Sequence, residues 1–203
     1  MKKSKIIEKN GYRDHYLKIN KTYPSVFALK IFLGNNPDFR LKEKYPNISK
    51  IIDIGFGDGR DIGFFLDQGY HVSGVEPDSK VVNHTIKKFK NYQDRTDLRV
   101  GANMDTGFNS EVFDAVYSSN AVYYLPSLEH SIIDAFKEAH RILKKGGLFM
   151  GTLGRNDSHT LSDAKKINEN TFILKDPFYN YRNGQVYHVY SKKSEIKKDF
   201  KTA

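Results

Sequence analysis

The chain has 203 residues, no cysteine and a formal charge of +9 at pH 7. That length suits one α/β domain around a single core, and the missing thiols exclude disulfides, thiolate metal sites and a cysteine nucleophile. No apolar run approaches the roughly 20 residues of a membrane span, and the N-terminus turns polar too soon for a secretion signal. The expectation is a cytoplasmic protein without membrane contact.

The charge is unevenly distributed. Residues 1–50 hold 12 Lys/Arg against 4 Asp/Glu, residues 51–154 hold 11 against 14, and residues 155–203 hold 10 against 6. A neutral-to-acidic centre lies between basic flanks, which suits nucleic acid, an anionic small molecule or a merely lysine-rich surface. The seven histidines show no HxH or HxxxH spacing, so no metal site is expected.

From residue 50 onward, apolar runs and helical patterns alternate, which predicts βαβ units and a mainly parallel, doubly wound sheet with helices on both faces. Lys50 to Ile54 is a β-branched run and reads as a buried first strand. A helix follows on Ile62, Phe65 and Leu66, ending at Gly69. Residues 71–75 read as the second strand. The next helix has its apolar face on Val82, Ile86 and Phe89, and residues 98–100 and 112–117 read as strands three and four. An amphipathic stripe from Ile132 to Leu143 closes on Lys144-Lys145-Gly146-Gly147 before a fifth strand at 148–153. Beyond it lie polar and aromatic turns, an edge-like strand at 185–190 and a lysine-rich helix at 192–200. Residues 1–45 are expected to form a helical lid or cap over residues 46–203, with 154–190 as an insertion on the substrate side.

The stretch IIDIGFGDGRDIG sits where a strand of an open α/β sheet meets its ligand. Its glycines, Gly55, Gly57 and Gly59, are spaced two and two rather than as G-x-G-x-x-G, and no Lys-Ser or Lys-Thr completes a phosphate loop. Asp53, Asp58 and Asp61 would repel a pyrophosphate at the helix N-terminus. A ligand with a cationic end and a ribose diol, such as S-adenosylmethionine (SAM), fits better.

These residues resemble the class I SAM-dependent methyltransferases of the small-molecule type, over residues 48–153. Asp53 to Gly59 matches the D/E-x-G-x-G-x-G motif, Glu76 the ribose-binding acid, FDAVYSSNAVYYL the fourth-strand motif, and LKKGGLFMGT the turn into strand five. The resemblance implies that Gly55, Phe56, Gly57 and Gly59 meet the methionine portion and that Asp53 braces the loop. Glu76 would accept the ribose hydroxyls, while Pro77 and Asp78 border the adenine. Asn103 and Met104 would hold the ring where Ala102 replaces the usual acid, and Ser118 and Ser119 would offer carbonyls to the ammonium. The family's last two strands have no counterpart before the chain stops at DFKTA.

The methyl acceptor should meet the variable segments. His159, Tyr123 and Tyr23 are the catalytic candidates. Tyr12, Tyr16, Asn120, Tyr124, Arg155 and Arg182 are candidates for acceptor binding, with Tyr179 and Tyr181 nearby. Arg13, Lys18, Lys21 and Lys30 join the two arginines in favouring an anionic small metabolite, for example a surface-glycan precursor. The expected activity is methyl transfer to oxygen or nitrogen by a monomer or homodimer. Nucleic acid is disfavoured as a partner, because strand four lacks the Asn/Asp-Pro-Pro-Tyr clamp. An RNA or protein methyltransferase and a non-catalytic SAM-binding protein are the alternatives.

Overall fold

The computed structural model describes residues 10–18, 22–34, 41, 45–175 and 182–203. Strand β1 (Lys50–Ile54) lies at the centre of a five-stranded parallel sheet ordered β3 (Thr96–Val100), β2 (His71–Glu76), β1, β4 (Phe113–Ser118), β6 (Leu143–Gly151). Its β-branched run is covered on both faces, and Ile51 and Ile52 are both 0% exposed. Burying each such side chain is worth about 1.5–3 kcal/mol.

Alternation along the strands assigns the two layers. Ile51, Ala115 and Tyr117 pack with α2 (Val26–Phe32) and α3 (Arg60–Asp67). Ile52, Ile54 and Val116 pack with α5 (Ile132–Ile142) on the other side. Helix α2 is thereby built into the main core through Ala28, Ile31 and Phe32, while α1 (Asn10–Leu17) lies against α4 (Ser79–Lys88).

Three sequence expectations are corrected. The buried face of α4 uses Val81, Val82 and Thr85, and Ile86 is 40% exposed, because Thr85 must reach the glycine loop. The last strand of the main sheet begins at Leu143: Phe113 pairs with Leu143 and Ala115 with Leu148, so the Lys-Lys-Gly-Gly turn loops out between two paired segments. The edge-like strand at 185–190 is β9 (Val186–His188), and it is an inner strand. It lies between β5 (Tyr124–Leu125) and β8 (Thr171–Ile173) in a second, antiparallel sheet that ends in β7 (Lys165–Lys166). Helix α6 (Lys193–Thr202) packs on α5, with Phe200 stacked on Phe136 at 4.1 Å.

Candidate active site

A cavity of about 770 Å³ opens at the carboxyl ends of β1, β2 and β4, toward the large end of small-ligand pockets. One end is formed by the glycine loop. Gly57 has a φ of +54°, and a Cβ there would lie 2.7 Å from the Tyr16 ring, so only glycine fits under that ring. At Gly59 a Cβ would collide with Thr85 and Phe89, which makes this glycine the close contact between loop and α4. Gly55 and Phe56 line the cavity, whereas Gly57 and Gly59 lie beneath it, covered by Tyr16 and α4.

This end is acidic. Glu76 accepts the Gly57 N–H at 3.1 Å, and burial pushes its carboxyl up to about 7, against the pull of the Gly57 and Asp78 amides. Asp53 is 3% exposed, and burial, with the charges of Asp61, Glu76 and Asp58, holds it well above the usual carboxylate range. Asp58 is paired with Arg60 at 3.3 Å. Asp78 caps α4 by accepting the Lys80 and Val81 N–H groups, and its other oxygen accepts Arg13 Nε at 2.7 Å. Pro77 lies beside it on the wall. Among the described residues, the buried Asp53, Asp58, Asp61 and Asp78 gather here with Glu76, a set of acceptors that fits an ammonium or sulfonium and disfavours a phosphate.

The other end is aromatic. Tyr12, Tyr123, Tyr124 and Tyr187 come from α1, the segment after β4, and β9, with Tyr16, stacked on Tyr12, linking them to the glycine loop. The Tyr124–Tyr187 pairing of β5 and β9 brings these two rings to 5.3 Å, and Tyr12 meets Tyr124 edge-on at 6.1 Å. Arg182, Gln185, Asn120 and Ser119 complete this end, with Arg155 at the rim. Asn120 has a φ of +56°, a left-handed conformation that asparagine tolerates better than other side chains. Thr152 Oγ1 accepts the Asn120 N–H at 2.7 Å.

Several expected roles are displaced because the groups are already engaged elsewhere. The Ser118 carbonyl accepts the Thr152 N–H and its hydroxyl donates to Ile54, so only Ser119 reaches the cavity. Met104 packs into the second-sheet core; Asn103 lines the wall and donates to the Val122 and Tyr124 carbonyls, tying the loop after β3 to the tyrosine segment. The Tyr123 hydroxyl donates to Asn120 Oδ1 at 3.1 Å, and burial raises its pKa far beyond that of a proton acceptor. His159 is exposed and Tyr23 is 68% exposed; neither contributes to the wall. Arg155 is held by Asp157 at 2.6 Å, and its side chain is 75% exposed. Tyr179, Tyr181 and Lys21 lie outside the described residues. The sequence reading placed Asp61 beside the ligand loop but missed Ser25, Arg60 and His15, all of which line the cavity. The signal for His15 was available, since Tyr12, His15 and Tyr16 share one helix face.

Comparison with known proteins agrees with this geometry. Residues 52–151 match the family model of a methyltransferase domain. The sterol 24-C-methyltransferase of Debaryomyces hansenii is 32% identical over 106 residues, 49% of this chain and 26% of that protein. The erythromycin 3''-O-methyltransferase of Saccharopolyspora erythraea is 32% identical over 104 residues, 49% of this chain and 32% of that protein. The match thus spans a third or less of these curated relatives. Among solved structures, the CcbJ methyltransferase of Streptomyces caelestis superposes with a TM-score of 0.63 at 16% identity, covering 93% of this chain and 83% of its own. The fold is the Rossmann-like fold of class I SAM-dependent methyltransferases. Residues 52–151 carry the sequence pattern of a methyltransferase domain on that fold.

Proposed function

We propose that this protein transfers the methyl group of SAM to an oxygen or nitrogen of a small acceptor carrying an acidic group. The observation that carries the reading is the continuity of one cavity from Glu76 and the glycine loop to the tyrosine-lined end with Arg182. When bound, SAM supplies an electrophilic methyl on a sulfonium, open to in-line attack by a lone pair.

The residues of the chain supply alignment and exclusion of water. Glu76, in its ionised form, accepts from a ribose diol, while Asp53 and the glycine loop face the cationic methionine end. Pro77, Asp78 and Asn103 border the adenine. Helix α1 acts as a lid, with Tyr16 over the glycine loop and Tyr12 against Tyr124 at the acceptor end. Tyr123 and Tyr124 serve as a wall rather than as acid or base. Arg182 at the tyrosine-lined end favours an anionic acceptor, and a surface-glycan precursor is one member of that class.

Calorimetry with S-adenosylhomocysteine (SAH) and NAD tests the cofactor half: SAH binds, Glu76→Ala abolishes binding, and NAD gives no heat. NAD preference overturns the reading. Incubation with methyl-labelled SAM and small acidic metabolites tests the acceptor half by label transfer.

A further inference from the structure

We infer that Tyr117 is a positioning residue for the cofactor site, holding residues 22–34 against the cavity through Asp61 and Ser25. The inference rests on the SAM reading above. The Tyr117 ring is fully buried between Phe27 and Phe65, at centroid distances of 5.5 and 4.9 Å. Its hydroxyl donates to Asp61 Oδ2 at 2.9 Å and lies 2.9 Å from Ser25 Oγ. The other Asp61 oxygen accepts the Ser25 N–H at 2.7 Å, and Ser25 Oγ accepts the Ala28 N–H at 3.0 Å.

The proton order follows from these partners. Tyr117 donates to the carboxylate, so Ser25 Oγ–H donates to the Tyr117 oxygen, while Ser25 Oγ itself receives from Ala28. Every donor in this ring points along one path toward Asp61, and a chain polarised this way is stronger than its isolated pairs. It links three distant segments: Ser25 caps α2, Asp61 lies in the first turn of α3, and Tyr117 stands on β4 opposite Asp53 in the strand register. An acid that merely answered the α3 dipole would not need donors 36 and 56 residues away.

Ser25 and Asp61 both line the cavity at the end that carries Asp53. The network therefore does two things at once. It fixes the edge of the cavity at the covering segment, and it keeps a carboxylate beside the site of a cationic ligand.

Tyr117→Phe keeps the packed ring and removes only the hydroxyl. The expected results are SAH binding about tenfold weaker, the scale of one lost hydrogen bond to a charged group, and faster amide exchange across residues 26–32. Ser25→Ala, which removes the other hydroxyl of the chain, should weaken SAH binding in the same way, and Ser25→Thr, which keeps that hydroxyl, should retain the unmodified protein's affinity and exchange. Unchanged SAH affinity in Tyr117→Phe overturns the inference, as does exchange that rises equally across β1 and β4, the mark of a general folding defect. Failure of the unmodified protein to bind SAH overturns the proposed function instead. In that case the exchange comparison still decides whether Tyr117 holds residues 22–34.

Discussion

Arg13 Nε donates to Asp78 Oδ2 at 2.7 Å, joining α1 to the cap of α4 across 65 residues of sequence. Both side chains are nearly buried, at 12% and 9% exposure, so salt screens the pair less than a surface ion pair. Lys88 Nζ adds two bonds, to Thr22 Oγ1 at 2.7 Å and to the Asp58 carbonyl at 3.0 Å. The segment above the site is thus held at its edges by polar contacts, while α2 anchors it in the core.

Arg13→Ala removes one edge contact without touching the Asp78 cap of α4. SAH dissociation should accelerate about tenfold, with far-ultraviolet circular dichroism unchanged. Stopped-flow displacement of SAH measures the rate.

Glu76 makes stability and binding respond oppositely to pH. Its carboxyl is raised to about 7 in the fold from 4.5, so the protonated form is favoured by folding. That contribution is fully present below about 4.5 and is lost as pH rises through 7, on the order of 3 kcal/mol. Binding should strengthen over the same interval if the ionised carboxylate accepts the ribose hydroxyls. Denaturant titrations of the free protein between pH 5 and 8 should show the fall, and Glu76→Gln should flatten both profiles.

Gly57→Ala sets a Cβ 2.7 Å from the Tyr16 ring at a φ of +54°. The cost is about 1–3 kcal/mol of stability, and Tyr16 must move off the loop. Thermal denaturation together with SAH calorimetry measures both effects.

At the acceptor end the two arginines should separate. Arg155 is paired with Asp157 in solvent, where such pairs contribute little, so Arg155→Ala should leave acceptor KM nearly unchanged. Arg182→Ala should raise acceptor KM about tenfold or more, most at low salt. His159→Ala and Tyr123→Phe should each retain kcat within a few-fold. Steady-state label transfer compares all four variants.

The features legible in the sequence were those written in local backbone chemistry. The β-branched run Lys50–Ile54, the two-and-two spacing of Gly55, Gly57 and Gly59, and Glu76 at the end of β2 each fix a conformation or a charge within a few residues. They were sufficient to give the parallel sheet and the acidic end of the cavity. What the tertiary structure alone decided was which functional groups remained available. Ser118 is closed off by Thr152, the Tyr123 hydroxyl by Asn120, and the Arg155 charge by Asp157, whereas Asp61, an acid of the motif region, joins Ser25 and Tyr117. Pairings such as Asp53 with Tyr117 and Tyr124 with Tyr187 are set by strand register. Register depends on how two faces of the sheet bury their side chains together, and it brings into hydrogen-bond range residues that no local pattern relates.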